Sequence, residues 1–305
     1  MIAGIDIGGT KIALGLVDEN GIVVTRGEIP IEVQSGPASA RDRILTILHK
    51  QVSETGASLT GIGIACTGPV DPLTGELGDV NTLPGWEGWN PVLELADAFR
   101  VTAAMENDAD GAALGEARWG RGRGKRSMVS ITVGTGIGAG IILNGEVYRG
   151  ANHSHPEIGH HIVEPGGPLC TCGASGCWES LASGPALELW YAEQNPGEER
   201  RSGKEICTLA RANDAAAQRA VEHLAKYLGL GLSNVVSMLM PEVIALSGSV
   251  MQSADLLLDS IRASVRDNCR LVPAKDCEIA VSSLGANAGL IGAAQVWHSR
   301  FDLKP

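Results

Sequence analysis

Residues 2 to 29 read IAGIDIGGTKIALGLVDENGIVVTRGEI, and residues 130 to 150 read SITVGTGIGAGIILNGEVYRG. Each stretch holds an apolar strand, a glycine-rich turn, a second strand and an Asn-Gly hairpin signal, at Asn20-Gly21 and Asn144-Gly145. A third strand closes the first stretch. One plan returning about 125 residues downstream is the mark of two related halves. Two unrelated glycine-rich hairpins are the plainer reading of the same letters.

Outward from these stretches, helix and strand patterns alternate. Apolar spacing predicts helices over 41–54, 91–99, 108–119, 183–194, 214–240 and 288–298. Strands are expected over 101–105 and 242–246, and LTGIGIACTGPV at 59–70 reads as a buried strand that ends in a turn. The strand at 242–246 delivers Gly248-Ser249 into a loop ahead of another helix. The polar run EQNPGEERRSGKE at 193–205 reads as a surface loop. Such alternation implies a mostly parallel sheet with helical cover.

Composition agrees. The chain has 305 residues, 44% of them hydrophobic, 4% aromatic and 40 of them glycine, which suits two α/β domains or one large α/β unit with a cleft. A formal net charge of −11, with one short basic run RWGRGRGKR at 118–126, argues against nucleic acid as a partner. The start MIAGIDIGGT has no signal-peptide pattern, and no apolar run reaches the length of about eighteen residues that a membrane helix needs. A cytoplasmic protein with no membrane partner is expected. Of seven cysteines, Cys66, Cys207, Cys269 and Cys277 are scattered; they make a poor disulfide framework and are expected as buried apolar residues.

Four groups of residues carry chemistry. In Asp6 to Lys11, including Gly8, Gly9 and Thr10, and in Gly134, Thr135, Gly136 and Gly138, missing Cβ atoms let backbone N–H groups approach an anion while the threonine hydroxyls add donors. Neither loop is a Walker motif or a dinucleotide fingerprint, and each alone is also read as a tight hairpin. As a pair they suggest a nucleotide clamped between two halves. Glu106-Asn107-Asp108 stands where a strand meets a helix; Asn107 and Asp108 are helix caps on one reading, and on another Asp108 is a carboxylate placed to take a proton from an attacking hydroxyl. Cys170, Cys172 and Cys177, spaced C-x-C-x4-C, form with His160 a closed tetrahedral set suited to structural Zn²⁺, with His161 as the competing ligand. Glu157 and Glu179 flank that knuckle, as acceptors for a polyhydroxylated ligand or as solvated loop charges.

Taken in order, DIGGTK at 6–11, TGPVD at 67–71, ENDADGAALGE at 106–116, VGTGIGAG at 133–140, EIGH at 157–160 and CTCGASGCWE at 170–179 closely resemble the ROK family of repressors, open reading frames and bacterial sugar kinases. The resemblance covers nearly the whole chain. It implies an actin-like ATPase (ribonuclease H-like) fold: two lobes around a central cleft and a zinc knuckle in the second. The small lobe would span 1–118 joined by a C-terminal segment at about 287–305, and the large lobe 119–286. The implied activity is ATP-dependent phosphorylation of a hexose, glucose first, in a homodimer. Asp108 would be the general base, and Asn107, Glu157, His160 and Glu179 sugar ligands. His160 with Cys170, Cys172 and Cys177 would hold Zn²⁺. The two glycine loops would hold phosphate, Asp6 would stand near Mg²⁺, and Gly248-Ser249 would border the adenosine.

One departure bears on substrate. Asn152-His153-Ser154-His155-Pro156 precedes the Glu157 motif where glucokinase-like members carry small residues, and this His-Pro looks more like fructokinase-type members. Fructose, mannose and N-acetylated hexosamines are therefore rivals to glucose. A sugar-responsive repressor is the rival from another class, and it would need a DNA-reading segment ahead of the first phosphate loop, which begins at residue 8.

Overall fold

The computed structural model of the chain describes residues 1–197 and 199–302. The loop expected at 193–205 and the segment expected to run to 305 lie partly outside the described residues. The first sheet holds β1 (Ile2–Ile7), β2 (Lys11–Val17), β3 (Gly27–Pro30), β4 (Gly61–Cys66) and β5 (Thr102–Asn107), in the order β3-β2-β1-β4-β5. The second holds β6 (Met128–Val133), β7 (Ile137–Leu143), β8 (Glu146–Val147), β9 (Val243–Ser247) and β10 (Glu278–Val281), in the order β10-β9-β6-β7-β8. Read from its other end, the second order is the first with each strand replaced by its counterpart. The repeat in the sequence is thus a repeat in topology.

β1, β4 and β5 run parallel, with Ile7 level with Cys66 and Cys66 level with Asn107. IAGIDI and GIGIAC are almost wholly buried, as central parallel strands covered on both faces must be. Because the three strands end level, Gly8, Thr67 and Asp108 leave the sheet at one edge. β6, β9 and β10 are parallel in the same way, so the Gly134 and Gly248 loops leave neighbouring strands at the carboxyl edge of the second sheet. Ligands of open α/β sheets bind at such edges.

The two Asn-Gly pairs are not equivalent turns. Asn144 and Gly145 both have positive φ, 55° and 81°, and Leu143 pairs with Glu146, a two-residue type I′ hairpin. At 20–21 only Gly21 is left-handed, with φ 78°. There Asp18 Oδ1 accepts from the N–H groups of Asn20 (2.9 Å) and Ile22 (2.8 Å), and β3 starts six residues beyond Gly21. Asp18 N–H also donates to Ile22 O at 3.0 Å and Val17 pairs with Val23, so the hairpin expected here forms, with residues 19–21 as its turn and the Asp18 side chain bridging it.

The expected helices are α1 (Gly36–Thr55), α2 (Pro91–Phe99), α3 (Asp108–Trp119), α5 (Gly184–Gln194), α7 (Ala215–Leu239) and α9 (Ala288–Phe301), followed in kind by the short α4 (Trp178–Ala182) and by α8 (Ala254–Asn268). α6 (Gly203–Arg211) cuts into the stretch expected as loop. Its start is a capping box, in which Ser202 Oγ accepts from the Glu205 N–H and Glu205 Oε2 accepts from the Ser202 N–H at 2.8 Å.

By contacts the described chain divides into two compact units, one of residues 1–126, 140–156 and 283–302 and the other of 127–139 and 157–282, residue 198 apart. In the first, α9 lies on β1 and β4 with almost no side chain between. A Cβ at Gly63 would overlap the carbonyl of Ala293, one at Gly4 that of Leu290, and one at Gly292 that of Gly111 in α3. Trp297 Nε1 donates to Thr102 Oγ1 at 2.8 Å, tying the far end of α9 to β5. Since the obstacle at Gly63 is backbone, the helix itself must move to admit a methyl group. Gly63→Ala should therefore lower stability by about 3 kcal/mol or more, read as a fall in the denaturation midpoint, while Ala→Gly at exposed Ala151 should leave it nearly unchanged.

Candidate functional site

At the carboxyl edge of the first sheet stand Asp6, the Gly8–Lys11 turn and the β5–α3 junction. Asn107 caps α3, its Oδ1 accepting from the Ala109 N–H at 2.9 Å. The capping reading therefore holds for Asn107. Asp108 is the first helical residue, only partly buried, and its Oδ1 also takes the Ala109 N–H at 2.8 Å. A carboxylate here also gains from the positive end of the helix.

Burial pushes the Asp6 carboxyl up to about 6; the nearby Asp108 charge adds to the rise, and Lys11 and Arg26 oppose it. Between the two acids in chain terms sits Cys66, fully buried, whose thiol is pushed well up first by burial and then by the charges of Asp108 and Asp6. Cys207, Cys269 and Cys277 are buried too, in keeping with their expected apolar role.

Each glycine turn is closed by one of its own amides. Gly8 N–H donates to Lys11 O at 3.0 Å and Gly134 N–H to Gly136 O at 2.9 Å, so neither amide is left for an anion. Thr10 and Thr135 are exposed. Lys11 Nζ lies 2.8 Å from Glu28 Oε2 on β3, an exposed pair. In the second unit the Gly134 loop has three neighbours: Gly184 N–H donates to Gly134 O at 2.8 Å, a Cβ on Gly134 would come within 3.5 Å of Ser249 Oγ, and Glu179 Oε2 accepts from Ile137 N–H at 2.9 Å. Gly248 is left-handed, φ 94°, and packed on the backbone of Val133, which no larger residue would tolerate. The second loop, Gly248-Ser249 and Glu179 are thus one assembly. Glu179, expected as a sugar ligand or a solvated loop charge, is a brace of the glycine loop.

Glu157 is exposed, and its carbonyl accepts from the His160 N–H at 3.0 Å. His160, Cys170, Cys172 and Cys177 come together, each offering a ligand atom within 4.8 Å of the others. His160 Nδ1 is 3.5 Å from Cys170 Sγ, and Cys172 Sγ is 3.5 Å from Cys177 Sγ. Sulfurs about 2.3 Å from a tetrahedral ion stand roughly 3.8 Å apart, so the set fits one cation with little movement. His161 is outside it: its Nδ1 meets Ile158 O, and its ring packs on Trp178 at 5.3 Å between centroids.

Two pairs lay outside the sequence reading. Arg149 forks onto buried Glu106, with Nε 3.2 Å from Oε2. His155 Nδ1 lies 3.0 Å from Oδ2 of buried Asp110. The ENDAD run held the acids in view, but their basic partners are some forty residues away in sequence, beyond the reach of local spacing.

The ROK family model matches residues 2–300. The chain belongs to the ROK family. Among relatives, a glucokinase of Halalkalibacterium halodurans is 33% identical, covering 95% of this chain and 92% of the relative. A xylose repressor of Bacillus subtilis is 30% identical, covering 96% of this chain and 76% of the relative. The crystal structure of a ROK hexokinase from Thermus thermophilus superposes with TM-score 0.86 at 32% identity, over 97% of each chain. A ROK glucokinase from Streptomyces griseus, solved with glucose and AMPPNP, superposes with TM-score 0.80 at 32% identity over 97% of this chain and 98% of that one. The fold is accordingly the two-sheet α/β fold of ROK sugar kinases, of the actin-like ATPase class. Among the described residues no helix is long and apolar enough to cross a membrane.

The raised Asp6 carboxyl has a consequence for folding. Its ordinary value is 3.8 and its folded value about 6, so the folded state holds the proton more tightly and stability falls as pH rises from about 4 to 6. Asp6→Asn removes that cost: it should raise the melting temperature of the ligand-free protein at pH 7.5, by up to about 3 kcal/mol of stability, and the gain should vanish near pH 4. A gain that persisted unchanged at pH 4 would assign it to another cause.

Proposed function

We propose that this ROK protein is an ATP-dependent hexose kinase with glucose as its first substrate. The observation that carries the reading is Asp108: a carboxylate at the carboxyl end of a parallel strand, on a helix N-terminus, electrostatically coupled to Asp6 at the same edge, in a chain whose relatives include enzymes named glucokinase. In this reading Asp108 accepts the proton of the sugar's primary hydroxyl as its oxygen bonds the γ-phosphorus and the bond to ADP breaks. Asn107, Glu157, His160 and Glu179 hold sugar hydroxyls. The glycine turns and Gly248-Ser249 take the nucleotide, and Asp6 would stand near the Mg²⁺ that would neutralise the nucleotide's phosphates. Excluding water keeps ATP from hydrolysis. The departure at 152–156 had raised fructose, mannose and N-acetylated hexosamines as rivals, and relatives named glucokinase favour glucose over them.

The His160, Cys170, Cys172 and Cys177 set we assign to structural Zn²⁺, since three thiolates and an imidazole leave no open position. A homodimer, which the resemblance implies, and a cytoplasmic location belong to the same proposal; sedimentation checks the first and cell fractionation the second.

Asp108→Asn keeps shape and one acceptor but cannot take a proton, so kcat should fall about 10² to 10⁴-fold with sugar affinity within about tenfold. Glu157→Gln should instead raise the sugar KM with kcat less affected. Single-turnover rates beside calorimetric titration separate the two, and ADP release across a panel of hexoses and hexosamines identifies the sugar. For the metal, elemental analysis of protein purified without added zinc should find one zinc per chain. Cys172→Ser should lose it together with several kcal/mol of stability, about the range expected when a structural metal site is broken.

A further inference from the structure

The catalytic run Glu106-Asn107-Asp108-Ala109-Asp110 is bracketed by two buried acids, Glu106 at 6% exposure and Asp110 at 2%. Each acid is met by a base from one short segment. Arg149 forks onto Glu106 through Nε and Nη2, and His155 Nδ1 sits 3.0 Å from Asp110 Oδ2. The two bases bracket residues 150–154, where the chain doubles back: Gly150 N–H donates to Ser154 O at 2.8 Å, and Asn152 and His153 are both left-handed, φ 56° and 61°. A non-glycine pair in that region is costly and persists only when its surroundings fix it. Here the fixing comes from the two ends. Asp110 Oδ1 is buried without a partner, so His155 carries a large share of what satisfies that carboxylate. Two residues past His155 comes Glu157.

We propose that Arg149 and His155 form a two-point clamp that fastens the 149–155 segment to the strand–helix junction of the general base, and that His155 is a positioning residue for sugar binding. The inference rests on the kinase reading and deepens it. The sequence had pointed to His155-Pro156 as a mark of which hexose binds; in the structure the imidazole is turned onto α3. Its effect on sugar is then exerted by holding the chain that leads into Glu157. A buried acid and a partly buried base meeting at hydrogen-bond distance hold direction as well as position, and misplacement of a substrate-holding group by about 1 Å can cost about 10²-fold in rate.

The test uses the full chain, with His155→Ala, Asp110→Ala, the double alanine variant Asp110→Ala/His155→Ala, the pair Asp110→Asn/His155→Gln, and Arg149→Ala. Steady-state kinetics with the best hexose are measured well below the melting temperature of each variant. Hydrogen exchange of 149–157 is followed without ligands. His155→Ala and Asp110→Ala are each expected to raise the sugar KM about ten- to a hundredfold, to leave the ATP KM within about threefold, and to speed exchange across 149–157. The two effects should be far from additive in the double alanine variant, since each breaks the same contact. The Asn–Gln pair keeps a hydrogen bond without charge and should return the sugar KM toward the wild-type value. Arg149→Ala should also speed exchange in the segment.

Loss of stability with an unchanged sugar KM would make the pair a structural contact only and overturn the proposal. So would unchanged exchange in 149–157, or additive effects of the two alanines. If wild type phosphorylates no hexose at all, the kinase reading fails while the exchange data still decide whether the clamp exists.

Discussion

The first unit depends on a helix laid against a sheet with backbone touching backbone. α9 approaches β1 and β4 at Gly4 and Gly63 and meets α3 at Gly111 and Gly292, so the helix stands where ordinary side chains would hold it several ångströms away. Close approach multiplies dispersion contacts that are individually weak, and it leaves no room for water. It also sets the electrostatics of the site. A Cβ at Gly289, in the first turn of α9, would overlap Asp6 Oδ2, which places that carboxylate against helix backbone. The burial that raises Asp6 toward 6 is therefore partly a product of how near α9 can come.

The two halves share a topology and divide their chemistry. At the first sheet's edge the functional groups are carboxylates on rigid strand ends, Asp6 and Asp108, and their mutual repulsion is held in place by the fold. At the second sheet's edge the groups are backbone and hydroxyl, in a loop assembly of Gly134, Gly184 and Ser249 braced by Glu179. Acidic groups suit a cation and a proton; N–H and hydroxyl groups suit phosphate. The cysteine knuckle sits beside the second assembly in sequence, since Cys177 is the N-cap of the helix that carries Glu179. Fixing the sulfurs thus fixes the start of α4 and with it the brace.

What the letters disclosed, and what they hid, follows from the range of each interaction. Central strands were legible because burial on both faces writes an unbroken apolar run, as in GIGIAC. The cluster of three cysteines and one histidine was legible because glycine-rich spacing alone brings the thiols together, although only the fold separates His160 from His161. The Asn20-Gly21 signal marked a hairpin that does form, with a three-residue turn, because Asp18 takes the amides that a two-residue turn would use. α6 was hidden in a polar stretch, though Ser202 and Glu205 form the capping box that announces it. Lys11, expected at phosphate, also pairs with Glu28, a contact across two strands whose register no local pattern reveals. Asp110 and His155 were each in view, yet their meeting depends on a strand, a hairpin and a turn all being built first.

α9 occupies residues 288–301 and packs on a strand that begins at Ile2. During synthesis the chain emerges from its amino end, so the first sheet is made early but cannot be covered until nearly the last residues have left the ribosome. Until then β1 and β4 present one apolar face to solvent, with glycines that offer little side chain to shield it. The second unit, whose residues 127–139 and 157–282 are all made before α9, has its parts in hand sooner. Order of maturation thus runs against order of synthesis: the half that carries Asp108 is the last to close, and a chain cut short before Ala288 leaves one face of its first-made sheet uncovered.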